Sequence, residues 1–254
     1  MADFKLQNTT PAVGNIKLGS SNVSKIYSGS TQVWPAAGGC SYTFPNSSVL
    51  RDAVDLWFSN NTAALATYGP ISEWCTENVT SMNNLFKDRT TFNEDISNWD
   101  VSNVTLMTQM FYNTPLFNQD IGGWDVRNVD RMDLMFYAPT DPTTGNRSSA
   151  FNQDIGAWDV SNVNYMRSMF AGCSSFNNGG SNSIGNWDVS NVGSGEFGSS
   201  FDFTFWYATS FNQDLSGWCV SRYSPTSNNG RWLFSGNSAL TAAHTPVWGT
   251  CPDV

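Results

Sequence analysis

From Phe92 onward the large apolar residues fall at fixed intervals. They run Phe92, Ile96, Trp99, Val101, Val104, Met107, Met110 and Phe111, with mostly polar residues between, and the series returns from Phe117 to Phe136 and again from Phe151 to Phe170. Degenerate copies start at Phe176 and Phe211, and a partial first copy runs from Ile71 through Trp74 and Val79 to Phe86. Trp74, Trp99 and Trp124 set a period of 25 residues, and the later steps of 34, 29 and 31 to Trp158, Trp187 and Trp218 are that period plus inserts of nine, four and six. A unit of this length cannot bury its apolar side alone, so neighbours must stack. The pattern therefore predicts a solenoid of about six repeats over residues 71–235, with the repeat core on Trp99, Trp124, Trp158, Trp187 and Trp218.

Inside each unit, the alternation around Phe-Asn-x-Asp-Ile and Val-x-x-Met predicts short β-strands, and Met-x-x-Met-Phe has the spacing of one helical or 3₁₀ turn. Trp-Asp-Val-Ser-Asn is a corner, because Asp and Asn there bond nearby backbone groups. The inserts Pro139–Asn146 and Asn178–Ser181 have loop composition and should leave one edge of the stack. The ends depart from the period. Residues 38–70 form an N-terminal cap with an amphipathic helix over 48–59, and residues 236–254 form a C-terminal cap. Residues 1–37 carry short alternating runs split by Gly-Ser turns, which predict a small three-stranded β module that gains stability by docking. The expected class is thus a leucine-rich-repeat-like α+β solenoid with a separate N-terminal β module.

Composition narrows the function. Charged residues make up 13% of the chain and the net charge is -9; the excess negative charge lies beyond residue 87. Such a body repels phosphate backbones and has no polybasic stretch, which excludes nucleic acid and membrane-surface partners. No apolar run is long enough to span a membrane, and no secretory leader is visible. The five cysteines have no metal-ligand spacing. Cys219 and Cys251 bracket the last unit and its tail, so they are the candidate disulfide. Cys40 and Cys75 can bridge or stay reduced, and Cys173 reads as a small buried residue.

Site chemistry is sparse. The single histidine, His244, has no nucleophile pattern beside it, and there is no phosphate loop or dinucleotide fingerprint. Acids recur at Asp95, Asp120, Asp154 and Asp214 and at Asp100, Asp125, Asp159 and Asp188. Stacked carboxylates can hold calcium, but beside Ser and Asn their expected work is corner capping. The Asn93, Asn118, Asn152, Asn177 and Asn212 series is read the same way. The variable positions Glu94, Gln119, Gln153 and Gln213 form the candidate binding face. Catalytic residues, metal ligands and bound cofactors are not expected.

The repeated Phe-Asn-Gln-Asp-Ile-x-x-Trp-Asp-Val-Ser-Asn-Val unit with its Met-Phe close resembles the BspA-like leucine-rich repeat family, in the variant known from mycoplasma surface lipoproteins. That resemblance covers residues 45–251 and implies a non-enzymatic solenoid of surface, adhesive and phage proteins. The segment Ile26-Tyr27-Ser28-Gly29-Ser30-Thr31-Gln32-Val33-Trp34-Pro35 resembles a short module at the start of tailed-phage structural proteins. Together the two imply a virion structural protein, either capsid-decorating or tail-attached. Its expected partners are other virion proteins through residues 1–37 and a host-surface glycan or protein along the solenoid, with self-association open. A bacterial cell-surface adhesin is the alternative reading, and a glycan-processing enzyme the remote one.

Overall fold

The computed structural model describes residues 40–193, 200–223, 236 and 238–252, and the backbone of strand residues 17–18, 21–22, 26–28 and 31–34. The rest of the proposed N-terminal module lies outside the described residues. Its described strands form two separate antiparallel pairs, β1 (Lys17–Leu18) with β2 (Ser21–Asn22) and β3 (Ile26–Ser28) with β4 (Thr31–Trp34), where a single meander was expected.

Helix α1 (Ser47–Ser59) begins where Asn46 Oδ1 accepts from the Ser48 and Val49 N–H groups at 3.0 and 3.1 Å, which satisfies two donors that a helix start leaves orphaned. Leu50, Ala53 and Val54 fall on one face and are buried. A second helix, α2 (Asn61–Tyr68), follows directly; Asn60 caps it and Gly69, at φ +75°, ends it. The periodicity did not predict α2, because it buries only Ala64 and so carries no amphipathic stripe. Strand β5 (Tyr42–Thr43) runs parallel to β6 (Trp74–Cys75), and a Cys40–Cys75 disulfide fastens this end. Helix α1 also serves the first repeat. Ser47 Oγ accepts from Thr80 and Ser81 N–H, Arg51 Nη2 donates to the Asn83 carbonyl at 2.7 Å, and Arg89 pairs with Asp55.

Each repeat lies against the next through its Met-x-x-Met-Phe segment. Met82, Asn84, Phe86 and Asp88 N–H groups donate to the carbonyls of Leu106, Thr108, Met110 and Tyr112, and the pattern repeats from Met107, Met132 and Met166. The intervening N–H groups close i→i−3 turns, such as Leu85 to Met82 and Met110 to Met107. This alternation goes with a left-handed residue two positions into each segment: Asn84, Gln109, Leu134, Ser168 and Phe203 all have φ between 55° and 61°. The segment is therefore a chain of tight turns and not a regular helix. Between repeats, parallel bridging among the described residues is confined to Ser81, Leu106, Arg131 and Tyr165, just before each Met.

No strand forms at Phe-Asn-x-Asp-Ile among the described residues; side chains link the repeats there instead. Asn118, Asn152, Asn177 and Asn212 N–H groups each donate to the Oδ1 of the preceding Asn, at 2.7 to 3.0 Å. Between these edges lies the core, where Phe, Ile, Trp, Val and Met of the repeats are buried. Two Phe columns stack plane on plane: Phe86, Phe111, Phe136, Phe170 and Phe205 at 5.3 to 5.6 Å, and Phe92, Phe117, Phe151, Phe176 and Phe211 at 5.6 to 6.0 Å. Offset stacking of this kind suits the ring quadrupoles.

Each buried indole has one donor to place, and from Trp99 onward the column places it on the repeat before. Trp99, Trp124, Trp158, Trp187 and Trp218 Nε1 donate to the carbonyls of Ile71, Ile96, Ile121, Ile155 and Ile184 at 2.9 to 3.3 Å. At the far end a Cys219–Cys251 disulfide holds the tail, and Leu215 and Val220 N–H groups donate to His244 and Thr250 carbonyls. His244 Nδ1 lies 3.0 Å from Asn212 Oδ1, at the end of the Asn ladder.

Candidate binding surface

The polar face singled out in the sequence is committed elsewhere. Gln119 Nε2 donates to the Asn93 carbonyl, Gln153 Nε2 to Asn118 O and Oδ1, and Gln213 Nε2 to Asn177 O and Oδ1, all at 2.8 to 3.0 Å. Gln213 is 5% exposed. These carboxamides hold repeat to repeat, and of the proposed face Glu94 alone stays exposed. These contacts have a plain cause: a side chain beside a backbone with no strand partner meets unpaired carbonyls one repeat away.

The acids have similar local work. Asp95, Asp100, Asp120, Asp125, Asp154, Asp159, Asp188 and Asp214 each accept the backbone N–H two residues on. Ser97, Ser161 and Ser216 side chains add to this and hold Asp95, Asp159 and Asp214 below the usual carboxylate range. Asp133 goes the other way, because burial pushes its carboxyl up against the pull of Arg131. Asp120 and Asp154 line a shallow cleft with Gln153, Gly156 and Ser183. Cys173 is buried and unpaired, and burial pushes its thiol up to about 12, which makes it inert as a nucleophile.

The residues five positions after each Met-Phe turn start are Lys87, Tyr112, Tyr137, Ala171 and Trp206, and all but the buried Ala171 reach the surface. Tyr112 and Tyr137 stack at 5.1 Å, and the Lys87 ammonium sits 4.8 Å from the Tyr112 ring centre. The gap over Ala171 and Gly172 is filled from outside the repeat. Gly172 has φ +80°, and a Cβ on it would come within 2.2 Å of the Ala138 carbonyl and 3.1 Å of Arg147 Cδ. Arg147, at the end of the nine-residue insert, thus lies in the slot. Its Nη1 donates to the Ala138 carbonyl at 2.9 Å and the Tyr137 hydroxyl at 3.3 Å, and its guanidinium lies 4.7 Å from the Trp206 ring centre and 5.4 Å from that of Tyr207. The result is a continuous strip of rings and cations from Lys87 to Tyr207. The aligned repeats already held the signal, in the aromatic excess at that one outward position.

The family described as "Mycoplasma protein of unknown function, DUF285" matches residues 53–145 and again residues 143–235, so the two matches together span most of the chain. No curated protein and no solved structure matches it.

Proposed function

We propose that this chain, which belongs to the DUF285 family, is a non-enzymatic display module whose repeats build a leucine-rich-repeat-like solenoid and whose aromatic strip holds a partner at a surface. The strip carries the reading. Tyr112, Tyr137, Trp206 and Tyr207 are only partly covered, whereas the two Phe columns and the Trp column of the repeats are buried. Rings kept at a surface in register, with Lys87 and Arg147 against them, suit recognition by many additive contacts. Catalysis finds less support: His244 serves the tail, and the acids cap corners.

The setting we favour is a virion appendage, capsid-decorating or tail-attached, with residues 1–37 as the attachment module and the host surface as the target. Disulfides at both ends of the repeat array suit an oxidising exterior. That observation favours the bacterial cell surface equally, so an adhesin is the second reading. Cell-binding assays with labelled protein test the core of the proposal. A Tyr112→Ser/Tyr137→Ser variant with an unchanged melting temperature should lose most of its binding to host cells, and undiminished binding would sink the strip as the contact surface. Particles that still incorporate a chain lacking residues 1–37 would remove the attachment role.

A further inference from the structure

The strip ends in a cavity of about 320 Å³, lined by Thr140, Asn146, Arg147, Ser174, Trp206, Tyr207 and Thr209. Here the nine-residue insert meets the repeats that begin at Phe151 and Phe176. The Trp206 and Tyr207 rings stand 4.6 Å apart at 81°, making two walls of a corner, and Tyr207 is 37% exposed. The walls are fixed: Arg147 braces both rings while anchored on Ala138, and Asp141 Oδ1 accepts from Thr143 and Thr144 N–H to hold the insert's turn. The rim is neutral. Thr209 Oγ1 donates to the Ser174 carbonyl at 3.2 Å, while among the described residues the Asn146 carboxamide and the Ser174 hydroxyl have no hydrogen-bond partner.

A ring wall with free amide and hydroxyl groups around it matches one chemistry well: a pyranose, whose C–H face stacks on an aromatic ring while its edge hydroxyls need donors and acceptors. The volume is at the small end of ligand pockets, in the range of a monosaccharide or disaccharide. Charge selects the neutral class. The one cation at the cavity, Arg147, has an N–H committed to Ala138 and its face to the rings, within a chain of net charge -9. We propose that this corner is a subsite for a neutral pyranoside of a surface polysaccharide. The proposal rests on the display-module reading and adds its ligand.

The test is a glycan array of neutral and acidic oligosaccharides, followed by calorimetry on the hits, with the full chain and two variants. Tyr207 sits at φ +57°, a conformation that Asn tolerates better than Tyr, so Tyr207→Asn removes the ring without endangering the fold. Asn146→Ala removes the rim amide from an exposed loop. We expect at least one neutral oligosaccharide to bind, with about tenfold weaker affinity in either variant. Binding of acidic glycans alone, or neutral binding that Tyr207→Asn leaves intact, overturns the subsite. If no glycan binds but host-cell binding still depends on Tyr112 and Tyr137, the sugar inference fails and the display module stands. Hydrolysis of a bound oligosaccharide defeats the display module itself.

Discussion

At the scale of single residues, the left-handed positions show what periodicity conveys and what it hides. The inward residues repeat in kind, so the core was legible: Trp99, Trp124 and Trp158 differ little in burial or in the carbonyl they meet. The turn residues Asn84, Gln109, Leu134, Ser168 and Phe203 share a backbone conformation and no chemistry, so no pattern marked them. Leucine in that conformation carries a cost of about 1 kcal/mol that asparagine largely avoids. Leu134→Asn should therefore raise the unfolding free energy by about that much in urea titrations, at an unchanged slope. The glutamine contacts carry no sequence signal for a related reason: a polar residue at a surface position looks free until the neighbouring repeat supplies its acceptor.

Among the elements, the corners and inserts are where sequence composition was most informative. Asp before Ser or Asn indicated capping, and the carboxylates do accept the N–H two residues on. The sign of the resulting pH dependence follows. Asp95, Asp159 and Asp214 have folded values below the unfolded value of about 4. Their contribution is complete above that value and disappears as pH falls through the folded values. Asp133, raised by burial, acts in the opposite sense: its cost is relieved on acidification. The lowered acids outnumber it, so the melting temperature should hold near neutrality and drop below about pH 4. A melting temperature that rises on acidification would mean that Asp133 dominates. The nine-residue insert was recognised as a loop, but not that its Arg147 completes the aromatic strip, because Arg147 has no counterpart in any other repeat.

For the whole molecule, an array of repeats is most exposed at its ends, where a repeat has one neighbour only. The first end is covered by α1 and β5 and the last by the tail, and each cover is tied by a disulfide spanning 35 and 32 residues. Neither cover follows the period, so the repeat pattern carried no signal for α2 or for the Cys40–Cys75 pairing. Loops of this size imply about 4 kcal/mol of stabilisation per bridge. A Cys219→Ser/Cys251→Ser variant should lose about that much, and its hydrogen exchange should accelerate first in the last repeats. Uniform acceleration along the chain would show that the array unfolds as one unit.

The ladders also give the chain an adjustable length. The indole of Trp124 reaches the Ile96 carbonyl as that of Trp99 reaches Ile71, and the Asn118 N–H reaches Asn93 as that of Asn152 reaches Asn118. Excising residues 100–124 would join Trp99 to Asp125 and leave Trp158 facing Ile96, with every column continuous. Duplication of the same segment lengthens the array in the same way. Reach can therefore change by whole units through unequal recombination, without any compensating substitution in the core, while the covers at both ends and the sugar-sized corner near residue 207 remain as they are.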